Sequence, residues 1–355
     1  MKRVPALDGI RGIAILMVVA GHAAANYQPM DAGLRRWLVV FTNSGLGVRL
    51  FFVLSGYLIT SLLLQEHAKR GTISLKAFYL RRVLRIFPAF YAYLLTLTVL
   101  SLWIPCGLTP STWTASATFT WNYAHIWVHA PAEGTWNVGH FWTLALEEQF
   151  YLLWPITLCL AGIRRALYIA LGLVVWCPLA RLGTYFLFPA ERGYIVMMFH
   201  TGSDSIMVGC AAALLMQSAS VREKFARGAS AGAWVAACWM FALSPLLGEL
   251  IRGFPVVVGI TLDALASAWI ILWAGQTLPT GFGKLLGRGL LPALGTISYS
   301  LYLWQQIFLS PTGWLATGRV VPACGAAVAA ACFSYWLIEK PALRLKNRRG
   351  APSSA

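Results

Sequence analysis

The 355-residue chain is 58% hydrophobic and 11% charged, with a mean hydropathy of +0.66. Soluble domains carry about 25% charged residues, so an all-aqueous surface is excluded and lipid is the main solvent. The net charge of +16, from 28 Lys and Arg against 12 Asp and Glu, is split into short clusters between apolar runs, which fits membrane anchoring and argues against nucleic acid as a partner.

Ten apolar runs of roughly 20 residues follow one another along the chain. They lie at about 7–27, 46–65, 87–104, 142–162, 166–188, 195–217, 229–247, 255–275, 290–311 and 320–339. The fold expected is all-α, a polytopic transmembrane bundle of about ten spans. One membrane domain occupies 1–345, and 346–355 forms a basic, disordered cytoplasmic tail. Between the third and fourth spans, segment 111–128 carries Trp113, Trp121 and Trp127, is too polar to cross, and reads as interfacial or re-entrant. The seven cysteines (106, 159, 177, 210, 238, 324 and 332) include no CxxC pair, so neither a metal site nor a disulfide framework is expected.

Charge asymmetry orients the bundle. Of the 28 Lys and Arg, only Arg35, Arg36, Arg49, Arg181, Arg192, Arg252 and Arg319 fall on the side opposite the N-terminus, and Arg11 lies within the first span. The remaining 20 place both termini in the cytoplasm. Met1-Lys2-Arg3 and Ala23-Ala24-Ala25 also fit a cleaved signal peptide, but Asp8 and Arg11 interrupt its apolar run.

Ionisable residues at membrane depth cost at least a few kcal/mol each and mark function. In the first span Arg11 and His22 are eleven residues apart, so they return to within roughly 20° of one helix face at a separation of roughly 16 Å. A functional pair and a topology arginine beside a hydrogen-bonded histidine are both open readings. At the entry to the third span stands Arg81-Arg82-Val83-Leu84-Arg85. Arg82 and Arg85 share a face and suit a polyphosphate ligand, while simple positive-inside anchoring is the alternative. The fourth span opens on His140-Phe141-Trp142, followed by adjacent carboxylates at Glu147 and Glu148. A carboxylate there could hold His22 in one tautomer, or simply face water. Asp204 and Asp263, in the sixth and eighth spans, are candidates for internal pairing with arginine.

Together these segments resemble the membrane-bound acyltransferase family 3, whose members O-acetylate cell-surface glycans and other acceptors. The resemblance is carried by Leu7 to Gly12 with His22, Phe51-Phe52-Val53-Leu54-Ser55-Gly56-Tyr57, and Phe78 through Pro88. It continues with His140 through Pro155, Ser298-Tyr299-Ser300-Leu301-Tyr302-Leu303-Trp304, and Glu339-Lys340-Pro341. The family's arginine and histidine fall on Arg11 and His22, its RxxR on Arg82 and Arg85, and its carboxylate on Glu147 with Glu148 beside it. Departures occur where relatives often carry an acid (here Arg49), a histidine after the Trp304 motif (here Gln305), and an arginine two residues before Asp204 (here Gly202). The stand-alone form of the family is implied.

The resemblance implies an O-acyltransferase in the cell membrane, the plasma or inner membrane. Acyl-CoA, by expectation acetyl-CoA, is its co-substrate, with no permanently bound cofactor and no metal. Its partners are membrane lipid and a carbohydrate or lipid-linked acceptor at the outer face. Arg82, Arg85 and Arg81 would bind donor phosphates, with Arg11 assisting. His22 would be the general base and Glu147 would orient it, with Glu148, His140, Trp142, Ser55, Asp204 and Tyr299 in support. That mechanism requires His22 to open onto the space shared by Arg82 and Arg85. The competing reading is a secondary transporter or flippase with a His/Glu/Asp relay; no internal repeat between the halves speaks for it.

Overall fold

The computed structural model describes residues 4–26, 42–104, 108–128, 135–276, 281–309 and 319–349. Among them the chain is a bundle of helices with no strand. Lys2, Arg3, Arg35, Arg36 and Cys106 lie outside the described residues.

Helix α1 (Pro5–Asn26) is followed by α2 (Ser44–Arg70) and α3 (Leu75–Leu100). Asn43 caps α2 by accepting from the Leu46 amide, and Gly71, at φ 72°, ends it in the left-handed conformation that glycine adopts freely. Ser74 caps α3, accepting from the Ala77 amide, so the helix begins well before the run expected at 87–104. Arg81, Arg82 and Arg85 are therefore inside the helix rather than at its entrance.

The 111–128 segment, expected not to span, forms a short helix, Pro110–Ala117, and a 3-10 turn, Trp121–Ile126. Next comes α4 (Phe141–Leu187), a 47-residue helix interrupted at Gly162 (φ 73°, ψ 168°). The break separates the two spans expected at 142–162 and 166–188. Beyond it lie α5 (Asp204–Leu215) and α6 (Ala219–Cys238), then α7 (Ile260–Gly275), α8 (Leu290–Phe308), α9 (Val320–Ser334) and α10 (Lys340–Arg349). Thus 346–349, expected to be disordered, continue a helix, while 350–355 lie outside the described residues.

Among the described residues, seven stretches are long and apolar enough to cross a bilayer, one of them the broken 52-residue run Trp136–Leu187. The remaining differences from ten have physical causes. With 12 residues, α5 reaches only about 18 Å of a hydrocarbon core about 30 Å thick. Every residue from Asp204 to Leu214 is buried, so α5 touches protein on all sides and need not match the lipid. Helix α8 buries Ser298, Ser300, Gln305 and Gln306, which dilutes its apolar character because its neighbours are helices. Lipid-facing surface is supplied elsewhere, by side chains such as Leu160 (82% exposed) and Trp234 (78%).

Small residues bring the inner helices together. A Cβ on Gly295 of α8 would sit 1.9 Å from the Asp8 carbonyl oxygen of α1, and one on Gly56 of α2 would sit 2.0 Å from the Ile206 carbonyl oxygen of α5. Buried charge holds the second half. Arg181, fully buried, binds Asp204 at 2.9 Å, the Thr261 hydroxyl at 2.7 Å and the Thr201 carbonyl at 2.6 Å. Arg49 pairs with Asp263 at 3.0 Å, and the Trp239 indole N–H donates to the same carboxylate at 3.0 Å. Asp204 and Asp263 thus find arginine partners, as expected. Arg181 and Arg49, counted above as charges at the outer helix ends, are interior ion-pair members and do not report orientation.

Candidate active site

Helices α1, α2, α3, α4 and α8 enclose a cavity of about 700 Å³, within the range of sites for drug-sized ligands. Helical spacing aims the lining residues inward. Helix α4 contributes Thr143, Glu147 and Tyr151 at four-residue intervals, with Glu148 beside them; α8 contributes Ser298, Tyr299 and Tyr302; α3 contributes Arg82 and Arg85. Arg11 enters from α1 and Ser55 from α2.

The carboxylate and guanidinium groups are held differently. The Ser55 hydroxyl donates to Glu147 at 2.5 Å, and the Tyr151 hydroxyl approaches Ser55 at 3.4 Å. The Arg82 guanidinium lies 5.6 Å from the ring centroids of both Phe78 and Tyr151, a cation–π arrangement that fixes its plane. Its Nε is buried with no hydrogen-bond partner. Among the described residues, neither Arg82 nor Arg85 comes within ion-pair distance of a carboxylate. Arg11 reaches Asp8 at 3.7 Å. Arg81 is placed elsewhere: it pairs with Glu66 at 3.0 Å, a carboxylate that Arg70 approaches at 3.8 Å.

The other residues singled out in the sequence divide in two. Tyr299 lines the cavity and donates to the Ile86 carbonyl at 2.9 Å, near the point where Pro88 removes an N–H from α3. Trp142 packs edge-on to Phe52, outside the cavity lining. Asp204 belongs to the Arg181 network. His140 is buried among the rings of Tyr93, Phe141 and Tyr302, and neither of its ring nitrogens has a partner.

His22 does not line the cavity. Its ring stands edge-on to Trp136 at 5.6 Å, near Gln305 and His140. Between it and the arginines, the Thr143 and Tyr302 hydroxyls bond at 2.6 Å, and Tyr302 also donates to the His140 carbonyl at 3.2 Å. The expected alignment of Glu147 on His22 is therefore replaced by the Glu147–Ser55 bond. The cause is the length of α1, whose eleven-residue interval carries His22 past the end of a cavity that holds Arg11.

Four residues of this region escaped the sequence reading of roles. Tyr151 sits one turn after Glu147, Thr143 one turn before it, and Tyr302 three residues after Tyr299, so helical periodicity alone could have found them. Glu339, recognised above only within a motif, is buried, accepts from the Ser300 hydroxyl at 3.0 Å, and lies within electrostatic range of Arg85 and Arg11.

The profile of an acyltransferase-domain family matches residues 4–339. The chain is 29% identical over 372 positions to the provisionally named peptidoglycan O-acetyltransferase of Bacillus subtilis, covering 96% of this chain and 55% of that protein. It is 27% identical to the peptidoglycan O-acetyltransferase of Listeria monocytogenes, covering 88% and 50% respectively. A provisionally named O-acetyltransferase of Staphylococcus aureus shares 27% identity, with 87% of this chain and 51% of that protein covered. The chain spans about half the length of these curated relatives. No solved structure matches it.

Proposed function

This chain belongs to the membrane-bound acyltransferase 3 family, and from that premise we propose that it moves an acetyl group from acetyl-CoA to a hydroxyl of an outer-face carbohydrate. The B. subtilis and L. monocytogenes relatives, named for peptidoglycan O-acetylation, support a cell-wall or other surface glycan as acceptor. The observation that carries the reading is the pair Arg82 and Arg85. Two guanidiniums that face a cavity inside a membrane protein without carboxylate partners are costly unless an anion completes them. The phosphates of acyl-CoA do so, through paired charge-assisted hydrogen bonds.

With the donor phosphates at Arg82 and Arg85, the acyl end extends along Glu147 and Tyr299 toward the Thr143–Tyr302 pair, beyond which stands His22. In this reading the Tyr302 side chain must move aside so that His22 can meet the acyl end. His22 then takes the acceptor's proton as its oxygen attacks the thioester carbonyl carbon. The carbon–sulfur bond breaks, CoA leaves as the thiolate, and the proton passes to sulfur. In this scheme Glu147, tied to Ser55, tempers the field of Arg11, Arg82 and Arg85 rather than orienting His22.

The test contrasts two neighbouring arginines. Arg85→Ala should weaken acetyl-CoA binding roughly 10- to 100-fold, as expected for losing a hydrogen-bonded charge contact. Arg81→Ala, which breaks only the half-buried Glu66 pair outside the cavity, should leave it within about twofold. Equal donor affinity in wild type and Arg85→Ala would remove the donor site from this cavity.

A further inference from the structure

Beyond the Thr143–Tyr302 pair lies a second polar cluster that the donor cavity does not use. Three helices reach it in the same sense: α1 through His22, eleven residues past Arg11; α4 through His140, one turn before Thr143; and α8 through Gln305 and Gln306, one turn after Tyr302. His140 is 3% exposed, Gln305 0% and Gln306 3%. Nevertheless both ring nitrogens of His140, both amide atoms of Gln305, Oε1 of Gln306 and Nδ1 of His22 lack hydrogen-bond partners. The Gln305 side chain lies within hydrogen-bonding reach of the His22 ring, but neither its amide atoms nor His22 Nδ1 attains hydrogen-bond geometry. An orphaned buried polar group is destabilising, and buried polar atoms in native proteins are overwhelmingly paired. Such a concentration is retained where something else supplies the partners.

We propose that His140 and Gln305, beside His22, form the acceptor subsite, and that it takes an uncharged, hydroxyl-bearing sugar ring. The proposal rests on the acyl-transfer reading above and adds the acceptor's chemistry to it. Imidazoles and primary amides both donate and accept, and a hydroxyl answers both atoms of the Gln305 amide, giving its proton to Oε1 and receiving one from Nε2. A phosphate or carboxylate accepts only, and would set an anion against the amide oxygens of Gln305 and Gln306. Among the described residues no charged side chain is paired with any of these atoms. The donor cavity, with its three guanidiniums, is the opposite case. Sugar rings also present apolar C–H faces, and Trp136 stands 5.6 Å from the His22 ring to receive one.

The test uses the full chain in nanodiscs and reads ligand-induced shifts in Tm. The probes are a β-1,4-linked N-acetylglucosamine tetramer, a galacturonate tetramer and acetyl-CoA. The neutral saccharide should stabilise the wild type, with the galacturonate tetramer binding at least about tenfold more weakly. Gln305→Leu should weaken the neutral saccharide about tenfold, the equivalent of one hydrogen-bonding residue lost, while leaving the acetyl-CoA shift in place. The ligand-free variant should melt at or above the wild-type Tm, because leucine fills the same volume without the orphaned amide. A merely structural glutamine would behave in the reverse way, with lower Tm and unaltered saccharide binding. His140→Phe supplies a second variant with the same expected split. Saccharide binding unchanged in both variants, equal binding of the uronate, or no saccharide binding by the wild type would each overturn the proposal. If acetyl-CoA fails to bind the wild type while the saccharide pattern holds, the donor reading falls and the subsite remains.

Discussion

His22 and the arginines of α3 divide the proposed chemistry between two positions, and single substitutions should separate them. His22→Ala should lower kcat by roughly 100- to 10,000-fold, the usual contribution of a positioned general base, with KM for acetyl-CoA unchanged. Undiminished transfer in steady-state assays of the membrane-inserted variant would remove His22 from the mechanism. Arg82, Arg85 and Glu147 were legible in the sequence because each is an ionisable residue that an apolar helix does not carry without cause, whereas Ser55 and Tyr299 entered only through the motifs of the family resemblance. The partner of Glu147 was not legible. Depth along a helix can be counted from sequence, but lateral distance between helices cannot, and Ser55 on α2 stands nearer to Glu147 than His22 on α1 does. The partner of Asp204 was hidden in the same way, since Arg181 is reached only across the α4–α5 connection.

At the level of helices, close packing and interior charge do different work. Gly295→Ala would bring a methyl group to 1.9 Å from the Asp8 carbonyl oxygen, a backbone atom that cannot swing aside. Helices α1 and α8 must then part, at a cost of roughly 1–3 kcal/mol. Because α1 carries Arg11 and α8 carries Tyr299 and Tyr302, acetyl-CoA affinity should fall together with the Tm. The Arg181–Asp204 pair predicts a different pattern. Asp204→Ala leaves a buried guanidinium uncompensated and should cost roughly 3–5 kcal/mol, whereas the double variant Arg181→Met, Asp204→Leu should recover most of that loss. Thermal melts of the three proteins, in one detergent, check the cycle. Most helices were legible because long apolar runs have few alternatives. The run at 195–217 was legible as a helix, but not that α5 is short and buried, since hydropathy cannot tell a helix sheathed in protein from one bathed in lipid.

For the whole molecule, charge is partitioned: the cavity holds the guanidiniums of Arg11, Arg82 and Arg85 with the carboxylates of Glu147 and Glu148, the neighbouring cluster of His22, His140, Gln305 and Gln306 holds neither, and the two meet at a pair of hydroxyls. If that partition serves acetyl transfer across the bundle, cells expressing the chain should carry acetyl increments of 42 Da (roughly the mass of one acetyl group less a proton) on one surface glycan, by mass spectrometry. Cells expressing His22→Ala should lack them. The same increments in both would mean that another enzyme makes them.

The Thr143–Tyr302 hydroxyl pair, bonded at 2.6 Å, also carries an obligation unrelated to catalysis. If, as proposed, donor and acceptor reach the bundle from opposite faces, their two routes together approach a continuous passage, and an energised membrane punishes any leak. Two hydroxyls bonded to each other, each also within reach of the His140 carbonyl, would close that passage and can part for an arriving substrate while each keeps a hydrogen-bond partner. Trimming it with Tyr302→Ala should therefore show itself first as wasted thioester, acetyl-CoA hydrolysed by water with no acceptor present, and as proton conductance in sealed vesicles.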